Sequence, residues 1–182
     1  MKKLIVSTLL LFFWCGLQAQ APSLIPTPKS MEILSGGFIL SSSTRINAQG
    51  NEAQKNVAFL NEYLKQTCGY TLKNGSGKNS IRLIMDKSLP KEGYVLTVSE
   101  NEIVLKGNGA GLFYAVNTLQ QLIPNTGELR IPCLKIEDEP RFAYRGLMLD
   151  VGRYFFTMDY LKEFIDQMAH YKLNIFHWHL TE

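Results

Sequence analysis

The 182-residue chain carries 19 Lys and Arg against 16 Asp and Glu, a formal net charge of +3, with 46% hydrophobic and 19% charged residues. That is the composition of a globular protein, and its near-neutral balance excludes nucleic acid or an anionic membrane surface as a partner held by charge.

At the start, Lys2 and Lys3 precede the apolar run Leu4 to Phe13, and small residues stand at Ala19 and Ala21. This is the pattern of a secretory signal peptide over residues 1–20, too short and wrongly flanked for a membrane anchor. A buried first helix is the competing reading, but the segment has neither a cap nor a polar face. Cys15 follows Phe-Phe-Trp rather than a small residue, which argues against a lipoprotein attachment site. The expected product is exported, periplasmic or extracellular. Cleavage would remove both lysines, lowering the charge to +1, and leave Cys68 and Cys133, which are compatible with a disulfide without requiring one. No close cysteine pair suggests a zinc knuckle.

Pro22, Pro26 and Pro28 make residues 21–28 an extended lead-in. Met31 to Leu34 and Phe38 to Leu40 flank Gly36-Gly37 and read as a hairpin, with a short strand at Thr44 to Ile46. Ala53, Val57, Leu60 and Leu64 repeat with helical period between Glu52 and Thr67, and Gly69 is placed to end that helix. Tyr70 to Leu72 and Ile81 to Met85 read as strands, and Tyr94 to Val98 with Ile103 to Leu105 as a second hairpin. Gly107-Asn108-Gly109-Ala110-Gly111 invites a dinucleotide reading, but the fingerprint needs a glycine where Leu112 stands, so it is read as a flexible turn into a helix. Leu112, Ala115, Val116, Leu119 and Leu122 give that helix, stopped by Pro124. Leu129 to Pro140, with two prolines and Glu137-Asp138-Glu139, reads as a connector. Residues 21–138 are thus expected to form an α+β domain.

The last stretch is different in kind. Leu147 to Leu149 and Ile175 to Leu180 are apolar runs of the sort found in parallel strands buried on both faces. Between them Leu161, Phe164, Ile165 and Met168 mark a helix, with Thr157 as N-cap, Asp159 in the first turn and Lys172 in the last. Strand, helix, strand with short connections is one βαβ unit.

Tyr144-Arg145-Gly146-Leu147-Met148-Leu149-Asp150-Val151-Gly152-Arg153-Tyr154-Phe155, followed by His177-Trp178-His179-Leu180-Thr181-Glu182, closely resembles the opening of the catalytic (β/α)₈ barrel of family 20 glycoside hydrolases, the β-N-acetylhexosaminidases. The lead-in Leu24 to Lys29 and the segment Gly111 to Leu119 similarly resemble the family's small non-catalytic domain. The resemblance implies an α/β chain: an α+β N-terminal domain, then from residue 139 the first βαβ unit of a TIM barrel, incomplete within 182 residues. It also implies that Arg145, whose planar guanidinium suits adjacent sugar hydroxyls, holds those at carbons three and four of the terminal sugar. Read without the resemblance, Arg145 is better explained by a structural ion pair, because such arginines are commonly paired in cores, and it also begins its strand whereas barrel chemistry lies at strand C-terminal ends. Asp150, His179 and Glu182 are implied members of a polar network behind the sugar pocket. Arg153 accompanies Asp150 after the strand, where an ion pair steering the turn is the alternative. Tyr154 replaces a histidine often seen in the family, and Trp178, opposite the histidines by alternation, is expected in the core.

The implied reaction is exo-acting and retaining, removing terminal non-reducing N-acetylglucosamine or N-acetylgalactosamine from an oligosaccharide or glycoconjugate without any cofactor. The substrate's acetamido oxygen attacks the anomeric carbon while a glutamate protonates the leaving oxygen and an aspartate orients the acetamido group. That Asp-Glu pair lies beyond this stretch in the family, so no catalytic residue is expected within the chain and it should be inactive alone. Two other readings stand beside this one. The chain is a non-catalytic remnant or sugar-binding module, or it is a metal-dependent barrel hydrolase using His177 and His179, which face the same side of a strand but lack a visible third ligand.

Overall fold

The computed structural model describes residues 22–181, so the expected leader and Glu182 lie outside the described residues. In chain order the elements are β1 (Ser30–Ile39), β2 (Arg45–Ala48), α1 (Asn51–Cys68), β3 (Lys73–Asn74), β4 (Ser80–Met85), β5 (Tyr94–Val98), β6 (Glu102–Gly107), α2 (Gly111–Leu122), β7 (Arg130–Asp138), β8 (Gly146–Asp150), α3 (Met158–His170) and β9 (Ile175–His179). The first seven strands form one mixed sheet in the order β1-β7-β5-β6-β4-β2-β3, and β8 pairs with β9 separately.

Alternation gives the large sheet its two faces. Ile81, Leu83, Leu96, Val98, Ile103, Leu105, Leu134 and Ile136 meet one another in register and are buried. Leu60 and Leu64 of α1 and Leu112, Ala115, Val116 and Leu119 of α2 join them in one core. Arg82, Lys106, Lys135 and Glu137 alternate with these residues and are exposed on the opposite face, the usual division of a sheet covered on one side. Gly69 ends α1 in the left-handed conformation at φ 77°, its N–H donating to the Lys65 carbonyl.

Three stretches differ from the sequence reading. The expected Gly36-Gly37 hairpin is a single strand, β1, whose register with β7 shifts between Ile33 and Gly37. Gly36 makes the bulge at φ 98°, a conformation that side-chain-bearing residues rarely adopt, and the Glu100 and Arg130 side chains lie across the two glycines, where a Cβ would meet Glu100 Oε1 at 2.5 Å and Arg130 Nε at 2.8 Å. Tyr70 to Leu72 joins no ladder; the Asn61 side chain accepts from the Leu72 N–H at 2.7 Å and donates to its carbonyl at 3.2 Å, replacing a neighbouring strand. The expected connector is β7, which lies between β1 and β5. Pro132 is tolerated because it pairs only with the bulged part of β1, beyond the last residues that pair with β5.

The segment before α2 is more constrained than a flexible turn. A Cβ on Gly111 would stand 2.1 Å from the Gly93 carbonyl oxygen, so the helix N-terminus can sit against the turn before β5 only as glycine.

β8, α3 and β9 form the expected βαβ unit, with β8 and β9 parallel from Gly146↔Ile175 to Asp150↔His179. Thr157 caps α3, accepting from the Tyr160 N–H at 3.3 Å. Leu147, Leu149, Phe176 and Trp178 share one face of the pair, and Phe164 of α3 lies 5.6 Å from Phe176, which in turn stacks on Trp178. Met148, Asp150, His177 and His179 share the other. The expected two-sided burial is incomplete, since Leu149 is buried while Leu147, Met148, Ile175 and Trp178 are exposed. Lys172 is not in the last turn of α3, which ends at His170. Among the described residues no helix is long and apolar enough to cross a membrane.

Gly111→Ala is expected to lower the unfolding free energy by about 1–3 kcal/mol, the usual cost of forcing an extra carbon into a packed contact. Urea unfolding followed by circular dichroism checks this, and an unchanged midpoint would mean that the Gly93 turn yields freely.

Candidate functional site

The two ends of the β8/β9 pair have different chemistry. At the N-terminal end Arg145 precedes β8 and turns toward the larger sheet. Its Nε–H donates to the Lys172 carbonyl at 2.9 Å and Nη1 to the Phe142 carbonyl at 2.8 Å. Nη2 donates to Glu92 Oε2 at 2.7 Å and to the Tyr114 hydroxyl at 2.9 Å. Four of the five guanidinium N–H bonds therefore end on protein acceptors, and the side chain is 15% exposed. This is not the placement the sugar-binding expectation needs. The arginine lies just before β8, which starts at Gly146, and its side-chain partners all lie at that end of the pair. It is the structural ion pair that the residue type alone also allowed.

Lys172 completes this end. It follows α3 at φ 60°, and its N–H bonds the Ala169 carbonyl at 3.0 Å while the Leu173 N–H bonds the Met168 carbonyl at 2.8 Å, a Schellman closure with lysine in the position that usually takes glycine. Its ammonium is buried, 2.8 Å from the Tyr94 hydroxyl, 3.3 Å from Asp138 Oδ2 and 4.8 Å above the Tyr94 ring. Burial pushes the lysine pKa down, against the opposing pull of Asp138. Burial and then Asp138 hold the Tyr94 phenol protonated far above its ordinary range. A cleft of about 570 Å³ opens beside these groups, lined by Pro28, Glu139, Arg141, Phe142 and Tyr171 among others. It lies at the opposite end of β8 from Asp150.

The C-terminal end brings together Asp150, Arg153 and His179. Asp150 Oδ1 accepts from the N–H groups of Gly152 at 3.0 Å and Arg153 at 3.2 Å, and Oδ2 lies 3.3 Å from the Arg153 Nε. His179 Nδ1 is 3.6 Å from Oδ1. Partial desolvation raises the Asp150 pKa, but the Arg153 N–H, the His179 ring, the Gly152 N–H and the Arg153 charge outweigh it, and the carboxyl ends below its ordinary value. Asp150 therefore remains a carboxylate and an acceptor, holding the turn that carries Arg153. Tyr154 beside it is exposed. His177 lies further back on the same face, its ring 6.4 Å from that of His179. Among the described residues no group of three or more His, Cys, Asp or Glu is placed to hold a metal.

Cys68 and Cys133 are free thiols, and burial raises the pKa of the latter. The sequence reading missed Glu92, Tyr94, Tyr114, Asp138 and the buried role of Lys172. The one available signal was Lys172 itself, a charged residue where a helix-ending glycine would be usual.

The low pKa of Asp150 fixes a pH dependence. A carboxyl depressed in the folded chain contributes stability that is fully present above the unfolded value and is lost as pH falls through the folded one. Asp150→Asn is expected to be less stable than the parent at neutral pH, with the gap closing below pH 3.8, in acid unfolding followed by circular dichroism. A gap that persists in acid would remove the carboxylate from this account.

Residues 21–139 match the family described as Glycosyl hydrolase family 20, domain 2, and residues 142–182 match Glycosyl hydrolase family 20, catalytic domain. The chain is 36% identical over 162 residues to a beta-hexosaminidase of Vibrio furnissii, covering 88% of this chain and 26% of that protein. It is 37% identical over 171 residues to a beta-N-acetylhexosaminidase of Cellulomonas fimi, covering 88% and 34%. Among solved structures, the GH20 exo beta-N-acetylglucosaminidase of Vibrio harveyi in complex with N-acetylglucosamine superposes with a TM-score of 0.81 at 35% identity, over 87% of this chain and 25% of that one. The chain thus spans 26% and 34% of the two curated relatives. With both of its parts matched in order, by sequence and by fold, the chain belongs to glycosyl hydrolase family 20.

Proposed function

We propose that this chain is the front part of an exported, exo-acting β-N-acetylhexosaminidase that removes terminal non-reducing N-acetylhexosamine by retaining, substrate-assisted catalysis. The observation that carries the reading is the gathering of Asp150, Arg153 and His179 at the C-terminal end of a parallel strand pair that the family's catalytic domain matches. In (β/α)₈ barrels that end is where substrates meet the protein.

Residues 21–138 form the non-catalytic domain in this reading, and residues 139–182 open the barrel. The open edges and exposed apolar residues of β8 and β9 support a place among further strands, since parallel sheets are covered on both faces. The catalytic acid and the aspartate that orients the acetamido group come from later strands, so the 182 residues alone supply recognition groups and no catalyst. Recognition of the sugar hydroxyls falls to Arg153 rather than Arg145. Arg153 stands at the end where the chemistry lies, its side chain is 69% exposed, and Asp150 fixes both its backbone and its guanidinium. His179 extends the same polar network, and the family resemblance assigns Glu182, outside the described residues, to it as well. The leader over residues 1–20 directs export, which suits a substrate class of external glycans.

The test begins with the coding sequence after the codon for Glu182. An in-frame continuation reaching an Asp-Glu pair, expressed whole, is expected to hydrolyse 4-nitrophenyl N-acetyl-β-D-glucosaminide, while the 182-residue chain shows no turnover. A stop codon at that point, or an inert continued chain, would overturn the assignment. In the continued chain Arg153→Ala is expected to lower kcat/KM by about a hundredfold, the loss of a charged hydrogen-bond pair, and Arg145→Ala to act mainly on stability.

A further inference from the structure

Among the described residues only Asn79, Glu92 and Lys172 combine a side chain with a positive φ, at 57°, 61° and 60°. A left-handed backbone at a long-chain residue costs free energy and persists where its surroundings demand it. Two of these three residues meet the same joint from opposite sides. Glu92, in the turn before β5, takes the Arg145 guanidinium at 2.7 Å. Lys172, in the turn between α3 and β9, sends its ammonium to Asp138 and Tyr94.

The hydrogen bonds join into one path. Lys172 donates to the Tyr94 hydroxyl, which lies 2.8 Å from Thr118 Oγ1, and Thr118 donates to the Tyr114 carbonyl at 3.0 Å. The Tyr114 hydroxyl accepts from Arg145, whose Nε–H returns to the Lys172 carbonyl. The Arg145 carbonyl accepts from the N–H groups of Asn174 and Ile175 at 2.8 and 3.2 Å, and Asn174 Oδ1 accepts from the Arg145 N–H at 3.0 Å. The N-terminal ends of β8 and β9 are thereby fastened to each other and to the seven-stranded unit at two points.

We infer that Glu92 and Lys172 are positioning residues: through Arg145, Asp138 and Tyr94 they lock the N-terminal ends of β8 and β9 onto the larger sheet and so set the spacing of Asp150 and His179 at the other ends. This rests on the proposed site for its functional meaning, but not for its geometry. Each strand of the pair is only five residues long, so a shift at one end carries to the other. The larger sheet thus serves the site as a brace without touching it.

The test is hydrogen exchange of the 182-residue chain and its Lys172→Gly and Glu92→Gly variants, read by NMR at single amides. Glycine relieves the left-handed backbone and removes the lock. If the side chains position the strands, the β8/β9 amides, including Val151, which bonds the His179 carbonyl at the far end at 3.0 Å, exchange about tenfold faster or more, while β5 and β6 keep their protection. Unchanged or slower exchange would mean that only the backbone turn mattered, and equal acceleration in both sheets would mean general destabilisation; either overturns the inference. Should a glycine variant fail to fold, Tyr94→Phe keeps the ring in the core, removes the hydroxyl and is held to the same selective pattern. Because exchange is read without hydrolysis, its outcome is separate from the fate of the proposed activity.

Discussion

The buried ammonium of Lys172 is the constraint on which the arrangement of the two sheets depends. A cation taken out of water is costly unless oxygen atoms replace its hydration. Here they come from Asp138 and Tyr94, both in the seven-stranded unit, with the Tyr94 ring beneath. The β8/β9 pair cannot move away without leaving Asp138 and Lys172 unpaired in a site where their side chains are only 13% and 8% exposed. Hydrophobic contact alone would let the two bodies slide over each other. A buried, directional ion pair fixes their position, and the left-handed turn at Lys172 is part of what that position costs.

This changes the meaning of the arginine beside it. A guanidinium with one remaining N–H cannot grip two neighbouring sugar hydroxyls, so in the proposed reading Arg145 contributes shape and the sugar contact passes to Arg153. The residues are eight positions apart, at opposite ends of one short strand. The division follows the general asymmetry of parallel strands in barrels, where one end carries stability and the other substrate contacts. Asp150 links the two, since it ends the strand that Arg145 precedes and holds the turn from which Arg153 projects.

Local structure was largely legible in the sequence because local rules decide it. Thr157 caps α3, Gly69 ends α1, and the apolar periods of α1 and α2 match their buried sides, whereas Ile165 of α3 stays exposed. Legibility failed where a distant segment decided the outcome. Gly36-Gly37 carries hairpin chemistry, yet the chain continues straight because β7, nearly a hundred residues later, takes both sides of the bulge. Pro132 and the acidic run concealed a strand whose alternation of Leu134, Lys135, Ile136 and Glu137 was visible but outweighed by the proline. The motif around Arg145 identified the family, but not the ion pair with Glu92, because a motif gives residue type and order and does not say which acceptors the fold brings to a guanidinium.

The exposed residues of the βαβ unit carry the argument one step further. Leu147 and Trp178 lie on the face toward α3 and Met148 lies on the opposite face with His177, yet all three remain more than two-fifths exposed. A strand pair whose apolar cover is partial, with Leu149 buried and Phe176 against Phe164 but the rest open, has a weak hydrophobic reason to hold its register, and two strands make a marginal sheet. What holds it within this chain is polar: the Arg145 and Asn174 exchange at one end and the Asp150 turn at the other. Ends pinned by hydrogen bonds with an uncovered middle are the converse of a finished core, in which apolar burial holds the middle and the ends are free to vary. The pair is therefore held by its polar ends, while the apolar middle keeps surface that a further layer of structure could cover.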